Sequence, residues 1–175
     1  MKCDFKGFSK KKNRTMNTDI SVMINEQRFN FRASAIIINE GKILVMHDGK
    51  SPYSYLPGGR VQIGEDTETA LIREMQEELH VKPKIIRPLW LNQSFFTEDA
   101  SSTRFHELCI YYLVDIKETD ILCRGTEFTC KEKTDSNYFK WIDFKALQDE
   151  YFYPVFLKSK IFTLPDSLTL ITERE

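Results

Sequence analysis

The chain has 175 residues, 41% of them hydrophobic, 13% aromatic and 29% charged, with a formal net charge of −1. Its length and composition are those of one ordinary folded domain that buries about 70% of its surface, and they exclude collagen-like, low-complexity and disordered chains. A balance so near zero argues against a dedicated nucleic-acid or acidic-lipid binder.

The charge is unevenly spread. Residues 1–18 hold Lys2, Lys6, Lys10, Lys11, Lys12 and Arg14 against Asp4 alone, a formal +5. They have no hydrophobic period and read as a flexible basic arm. The remaining residues 19–175 are read as one domain, with a formal −6. Its acid is concentrated in Glu65, Asp66, Glu68, Glu74, Glu77 and Glu78, opposed over that stretch only by Arg73.

Residues 29–38 end in a β-branched run and predict a strand that becomes buried, followed by a turn at 39–42 and a returning strand at 43–46. Residues 47–53 form a loop by their Gly, Pro and Ser content, and Leu56-Pro57-Gly58-Gly59 is a second break. Asp66 then caps a helix that carries Leu71, Ile72, Met75 and Leu79 on one face and stops near Leu79, ahead of Pro83. Residues 84–96 and 105–114 predict strands joined by a polar loop at 97–104. The second is apolar on both faces, which places it centrally in the sheet. A short strand at 138–142, helical patterns at 144–150 and 155–161, and an edge strand at 168–172 complete the order. Trp90 and Trp141 are assigned to the core.

None of Cys3, Cys109, Cys123 and Cys130 forms a C-x-x-C pair or lies at zinc-ligand spacing from a His. Cys109 reads as a small buried hydrophobe. Cys123 and Cys130 could pair, but a cytosolic chain keeps them reduced. The basic start lacks an apolar segment behind it, and the longest apolar run, 108–114, is too short to cross a bilayer. The expectation is a cytoplasmic protein with no membrane partner.

On the predicted helix Glu74, Glu77 and Glu78 are neighbours at i, i+3 and i+4. Alone, such acids are usually a solvated face. Here they follow a glycine pair that lets backbone approach a ligand closely. Clustered carboxylates beside such a loop suit hard divalent cations, Mg²⁺ or Mn²⁺, which commonly bridge to phosphate oxygens.

The order Gly59, five residues, Glu65, seven residues, then Arg73-Glu74-Met75-Gln76-Glu77-Glu78-Leu79-His80-Val81 resembles the signature of the Nudix hydrolase family. One position departs: His80 stands where the family has Gly. That residue ends the helix in the left-handed conformation, which His visits more readily than most residues, at a cost of order 1 kcal/mol. The resemblance implies an α+β fold, an α/β/α sandwich with a mixed sheet. It also implies hydrolysis of a diphosphate linkage in a nucleoside diphosphate joined to another group, with metals activating the attacking water.

Carried over residue by residue, Glu74, Glu77, Glu78 and the Gly58 carbonyl hold the metals, Arg73 orients Glu74, and Glu65 braces Arg73. Glu107, an acid entering an apolar strand, is the candidate for a further metal ligand or general base; its bland alternative is a salt bridge to a nearby Arg. His106 falls on the opposite face. Phe95 and Phe96 are candidates for stacking on a base, and Arg60 and Arg104 for phosphate contacts. The resemblance allows a homodimer and leaves the diphosphate open; the ADP-ribose and coenzyme A subgroup patterns are not found. The rival reading is a nucleotide-sensing module without hydrolysis, which typically loses the glutamates kept here. An RNA partner for the basic arm is the lesser rival.

Overall fold

The computed structural model describes residues 18–98, 101–132 and 135–175. The basic arm, apart from Thr18, lies outside them.

Among the described residues, nine strands form one mixed sheet: β1 (Ser21–Ile24), β2 (Gln27–Asn39), β3 (Lys42–His47), β4 (Gly58–Arg60), β5 (Lys84–Thr97), β6 (Arg104–Asp115), β7 (Glu127–Glu132), β8 (Asp135–Asp143) and β9 (Thr169–Arg174). Their order is β7-β8-β3-β2-β6-β5-β9, with β1 and β4 also paired to β2. The β2/β6 and β5/β9 pairs are parallel and the rest antiparallel. The 105–114 strand is central as predicted, and the tail adds the edge strand. The 56–59 break is partly strand: β4 pairs with β2 through Arg32↔Arg60, Ala33↔Gly59 and Ser34↔Gly58.

Strand β2 organises the molecule through its two-residue period. Ala33, Ala35 and Ile37 join one core with Ala70, Leu71, Met75 and Leu79 of helix α1 (Thr67–Leu79). Ile36 belongs to a second core on the other face, with Val45, Trp90, Tyr111, Phe156 and Leu157. Trp141 is only partly buried, at the margin of the first core. The helix patterns at 144–150 and 155–161 shrink to a 3-10 turn (Ala146–Gln148) and the single turn α2 (Leu157–Lys160). Their apolar residues, Leu147, Phe156, Leu157 and Ile161, dock on the sheet as irregular anchors instead of a helical stripe. The second helical layer of the sandwich is accordingly thin.

Both ends of α1 follow from the sequence. Asp66 Oδ1 accepts from the Thr69 N–H at 2.8 Å. His80 sits at φ 57°, ψ 31°, the left-handed conformation expected there, and its N–H donates to the Met75 carbonyl. The last turn of α1 carries no basic residue, and Arg124 compensates from the 3-10 turn Ile121–Arg124, with Nη1 donating to the Leu79 carbonyl at 2.9 Å. Cys109, Cys123 and Cys130 are free thiols. Among the described residues no helix is long and apolar enough to cross a membrane.

Candidate active site

The buried stripe of α1 is Ala70, Leu71, Met75, Glu78 and Leu79; Ile72 is only half-buried. A glutamate thus occupies a core-facing position. Glu78 is 5% exposed, and its Oε2 accepts from the Gly58 N–H at 2.9 Å. Glu74 approaches the same loop: a Cβ built on Gly59 would lie 2.3 Å from its Cδ. Gly59 is what lets the loop pass over Glu74, whereas a Cβ on Gly58 would meet the backbone of β2 at Ala33 and Ser34.

Arg73 ties the site together. Its Nε and Nη2 donate to the two oxygens of Glu65, each at 2.9 Å, in the fork geometry an arginine favours. Nη1 donates to Glu74 Oε1 at 2.6 Å and lies 3.7 Å from Glu77 Oε1, while Nη2 also reaches the Arg60 carbonyl at 2.9 Å. The contacts expected of Glu65 and Arg73 are therefore present. Hydrogen bonding from Arg73 holds the Glu65 carboxyl below the usual carboxylate range, against a smaller opposing effect of burial. Burial outweighs Arg73 at Glu74 and pushes that carboxyl up, with Glu77 adding like-charge repulsion.

Beside this cluster a cleft of about 280 Å³ opens on the face of the sheet opposite α1. Its floor comes from alternate residues: Asn30, Arg32 and Ser34 of β2, Phe105, Glu107, Cys109 and Tyr111 of β6, and Ser94 and Phe96 of β5. Gly58, Arg60 and Glu78 border it on the α1 side, and Tyr53, Tyr55 and Tyr153 form an aromatic wall. Burial opposes the Arg32 charge, but Glu107 leads the interactions that more than offset it, so its pKa is raised. Burial pushes the Cys109 thiol up to about 12, which leaves it inert as a nucleophile.

Glu78, Gly58, Arg60, Phe96 and Glu107 share this cleft. Phe95 does not line it. Strand alternation turns Phe95 to the other face, where it stacks on His106 with centroids 4.4 Å apart and lies under the Arg174 guanidinium. Arg104 is exposed at the start of β6, paired with Thr97, and does not line the cleft either. Glu107 accepts from Asn30 Nδ2 at 3.2 Å and interacts electrostatically with Arg32. The Gly58 carbonyl accepts from Arg32 Nη2 at 3.3 Å. Among the described residues no three His, Cys, Asp or Glu side chains gather around one point.

Asn30, Arg32 and the tyrosine wall escaped the sequence reading. Their signal is present: Asn30, Arg32 and Ser34 put three polar side chains on one face of a strand whose other face is apolar.

The NUDIX domain family model matches residues 28–159. An RNA pyrophosphohydrolase from Baumannia cicadellinicola subsp. Homalodisca coagulata is 27% identical over 134 residues, 70% of this chain and 81% of that protein. An ADP-ribose pyrophosphatase from Methanocaldococcus jannaschii is 31% identical over 84 residues, 46% of this chain and 47% of that protein, so the match spans about half of that relative. The crystal structure of a MutT protein from Bacillus halodurans aligns over 83% of this chain and 89% of its own, with a TM-score of 0.55 at 11% identity, a likeness of fold.

Proposed function

This chain belongs to the NUDIX family, and we propose that it is a divalent-metal-dependent hydrolase that cleaves a diphosphate linkage in a nucleoside diphosphate derivative. The observation that carries this reading is the pair of carboxylates, Glu78 and Glu74, packed against the Gly58-Gly59 backbone. An acid in a helix's buried stripe costs stability unless something neutralises it.

The residues fit Mg²⁺ or Mn²⁺ by donor chemistry: all are oxygens, on one helix face and one adjoining loop. Glu74, Glu77, Glu78 and the Gly58 carbonyl would hold the ion. That carbonyl has a second lone pair beyond the one Arg32 engages. When bound, the metal supplies the positive charge that activates water and stabilises charge developing on phosphoryl oxygens. The chain's own residues do the rest. Arg73 fixes the Glu74 carboxylate, and Glu65 fixes Arg73. Arg60 borders the cleft at the glycine loop, 3.8 Å from Asp19, and its position supports the reading of it as a phosphate contact.

The names of the relatives put RNA and ADP-ribose into the substrate panel beside nucleotide sugars, dinucleoside polyphosphates and nucleoside triphosphates. The test is phosphatase-coupled phosphate release from that panel with Mg²⁺ or Mn²⁺, for wild type and Glu78→Gln. A glutamine keeps an oxygen for the Gly58 N–H, so folding is expected to persist. Turnover should fall by on the order of a hundredfold or more. Undiminished turnover of the variant refutes the metal-site assignment; nucleotide binding without hydrolysis of any compound favours the sensing module.

A further inference from the structure

The geometry points to the inner floor of the cleft as a reader of one base, guanine, with Asn30 and Glu107 as specificity-determining residues; this rests on the nucleotide-hydrolase reading above. Asn30 is 1% exposed and lines the cleft, yet its Oδ1 accepts no hydrogen bond among the described residues. Its Nδ2 is committed to Glu107 Oε2. A buried acceptor left unmatched is costly and calls for a donor. Asn χ2 is a broad torsion, so the amide can turn its oxygen toward a ligand edge within its rotamer well.

Glu107 is directly opposite Asn30 in the β2/β6 register and supplies a carboxylate, which only accepts. Arg32, two residues along β2 and so about 6–7 Å away on the same face, only donates. One of its N–H groups goes to the Gly58 carbonyl, and the guanidinium has four more. Across the floor, from the Gly58 side of β2 to β6 on its other side, a donor is therefore followed by two acceptors. The Watson–Crick edge of guanine reads O6 acceptor, N1–H donor, N2–H₂ donor, its complement. Adenine offers a donor and an acceptor, cytosine a donor then two acceptors, and uracil a donor between two acceptors; each leaves a floor group opposed or unpaired. A site whose buried polar groups are matched by one base rejects the others.

Position supports the same assignment. Phe105 and Phe96, stacked on each other with centroids 5.0 Å apart, lie two cross-strand pairs beyond Glu107 and Ser94, on the same face and beside the proposed base plane. The Gly58 loop pairs with β2 at Ser34, four residues from Asn30. That separation, about 13 Å along the strand, leaves ribose and diphosphate to bridge from the floor to the helix glutamates.

The test is binding of GMP, AMP, CMP, UMP and IMP to the full chain without added metal, by calorimetry. GMP should bind at least about tenfold more tightly than AMP, CMP or UMP. IMP, which lacks only the 2-amino group, should lose several-fold relative to GMP. GMP binding no more tightly than AMP, or IMP matching GMP, overturns the assignment. Glu107→Gln replaces one acceptor by a donor and should bring GMP to within about twofold of AMP; Asn30→Leu, of similar volume, serves as the second variant. A preference for guanine that survives both substitutions also overturns it. Because binding is measured without turnover, a guanine preference accompanied by undiminished hydrolysis in Glu78→Gln refutes the metal site and leaves the base reading standing.

Discussion

Replacing Gly59 by alanine places a methyl carbon 2.3 Å from Cδ of Glu74 and 2.4 and 2.5 Å from its two oxygens. The carboxylate, the far end of a flexible side chain, must retreat by about 1 Å to reach ordinary contact. In doing so it gives up the 2.6 Å bond from Arg73. A charge-assisted bond is worth about 1.5–3 kcal/mol. Arg73 keeps both bonds to Glu65 and the displaced carboxylate gains water, so the expected loss is about 1–2 kcal/mol, or roughly 2–8 °C in Tm. Metal affinity should fall about 10–100-fold, as for other displaced or misoriented ligands.

Gly58→Ala, one residue earlier, meets unyielding backbone: its Cβ would lie 2.3 Å from the Ala33 carbonyl oxygen and 2.7 Å from Ser34 Cα, at a φ of +134°. Strain of about 1–3 kcal/mol and overpacking of about 1–3 kcal/mol add to about 2–6 kcal/mol. The two neighbours should separate cleanly. Gly59→Ala stays folded and binds Mn²⁺ and turns over substrate more weakly, whereas Gly58→Ala loses a large share of the protein's stability. Urea denaturation, Mn²⁺ calorimetry and phosphate release measure both. Wild-type Mn²⁺ affinity in Gly59→Ala, or a Gly58→Ala protein as stable as Gly59→Ala, would refute the reasoning.

The two shifted carboxylates act oppositely on stability. The depressed Glu65 pKa contributes stability that is present above its unfolded value and is lost as pH falls through the folded one, whereas the raised Glu74 pKa is a penalty at neutral pH that acid relieves. The stability difference between wild type and Glu65→Gln, from urea titrations at pH 7 down to 3, should therefore shrink as pH drops below about 4.5; a constant difference contradicts the Arg73 pairing. His80→Gly should relieve about 1 kcal/mol of left-handed strain, offset by about 0.4–1 kcal/mol of unfolded-chain entropy, so thermal scans should show no change or a small gain, and a clear loss tells against it. Arg124→Ala removes the donor to the Leu79 carbonyl and should cost about 1–2 kcal/mol without altering metal affinity. A large change in metal affinity would place Arg124 in the site.

Helix α1 was legible because its period, its Asp66 cap and its glutamate spacing all state the same element. The central strand was legible for a similar reason, being apolar on both faces. What escaped depended on partners distant in the chain. Phe95 and Phe96 are adjacent and alike, and alternation says only that they face opposite ways; pairing with His106 and Phe105 decides which meets the cleft. Arg104 lies at the same strand end, but the register leaves it outside. The 127–132 segment is short, with charges at both ends, and becomes strand β7 only against β8. The helix patterns near 146 and 157 failed because docking on the second core, not helical spacing, sets their apolar positions.

The alternation of β2 has an implication for how such a protein can change. Residues 33, 35 and 37 face the helix that carries the acids, and residues 30, 32 and 34 face the cleft. Substitutions on the second set alter what the molecule accepts while leaving the packing behind the glutamates in place. Distant, unshared effects add, so selectivity and robustness should vary independently across engineered or naturally diverged variants. A one-residue insertion is the exception, because it exchanges the two sets at once.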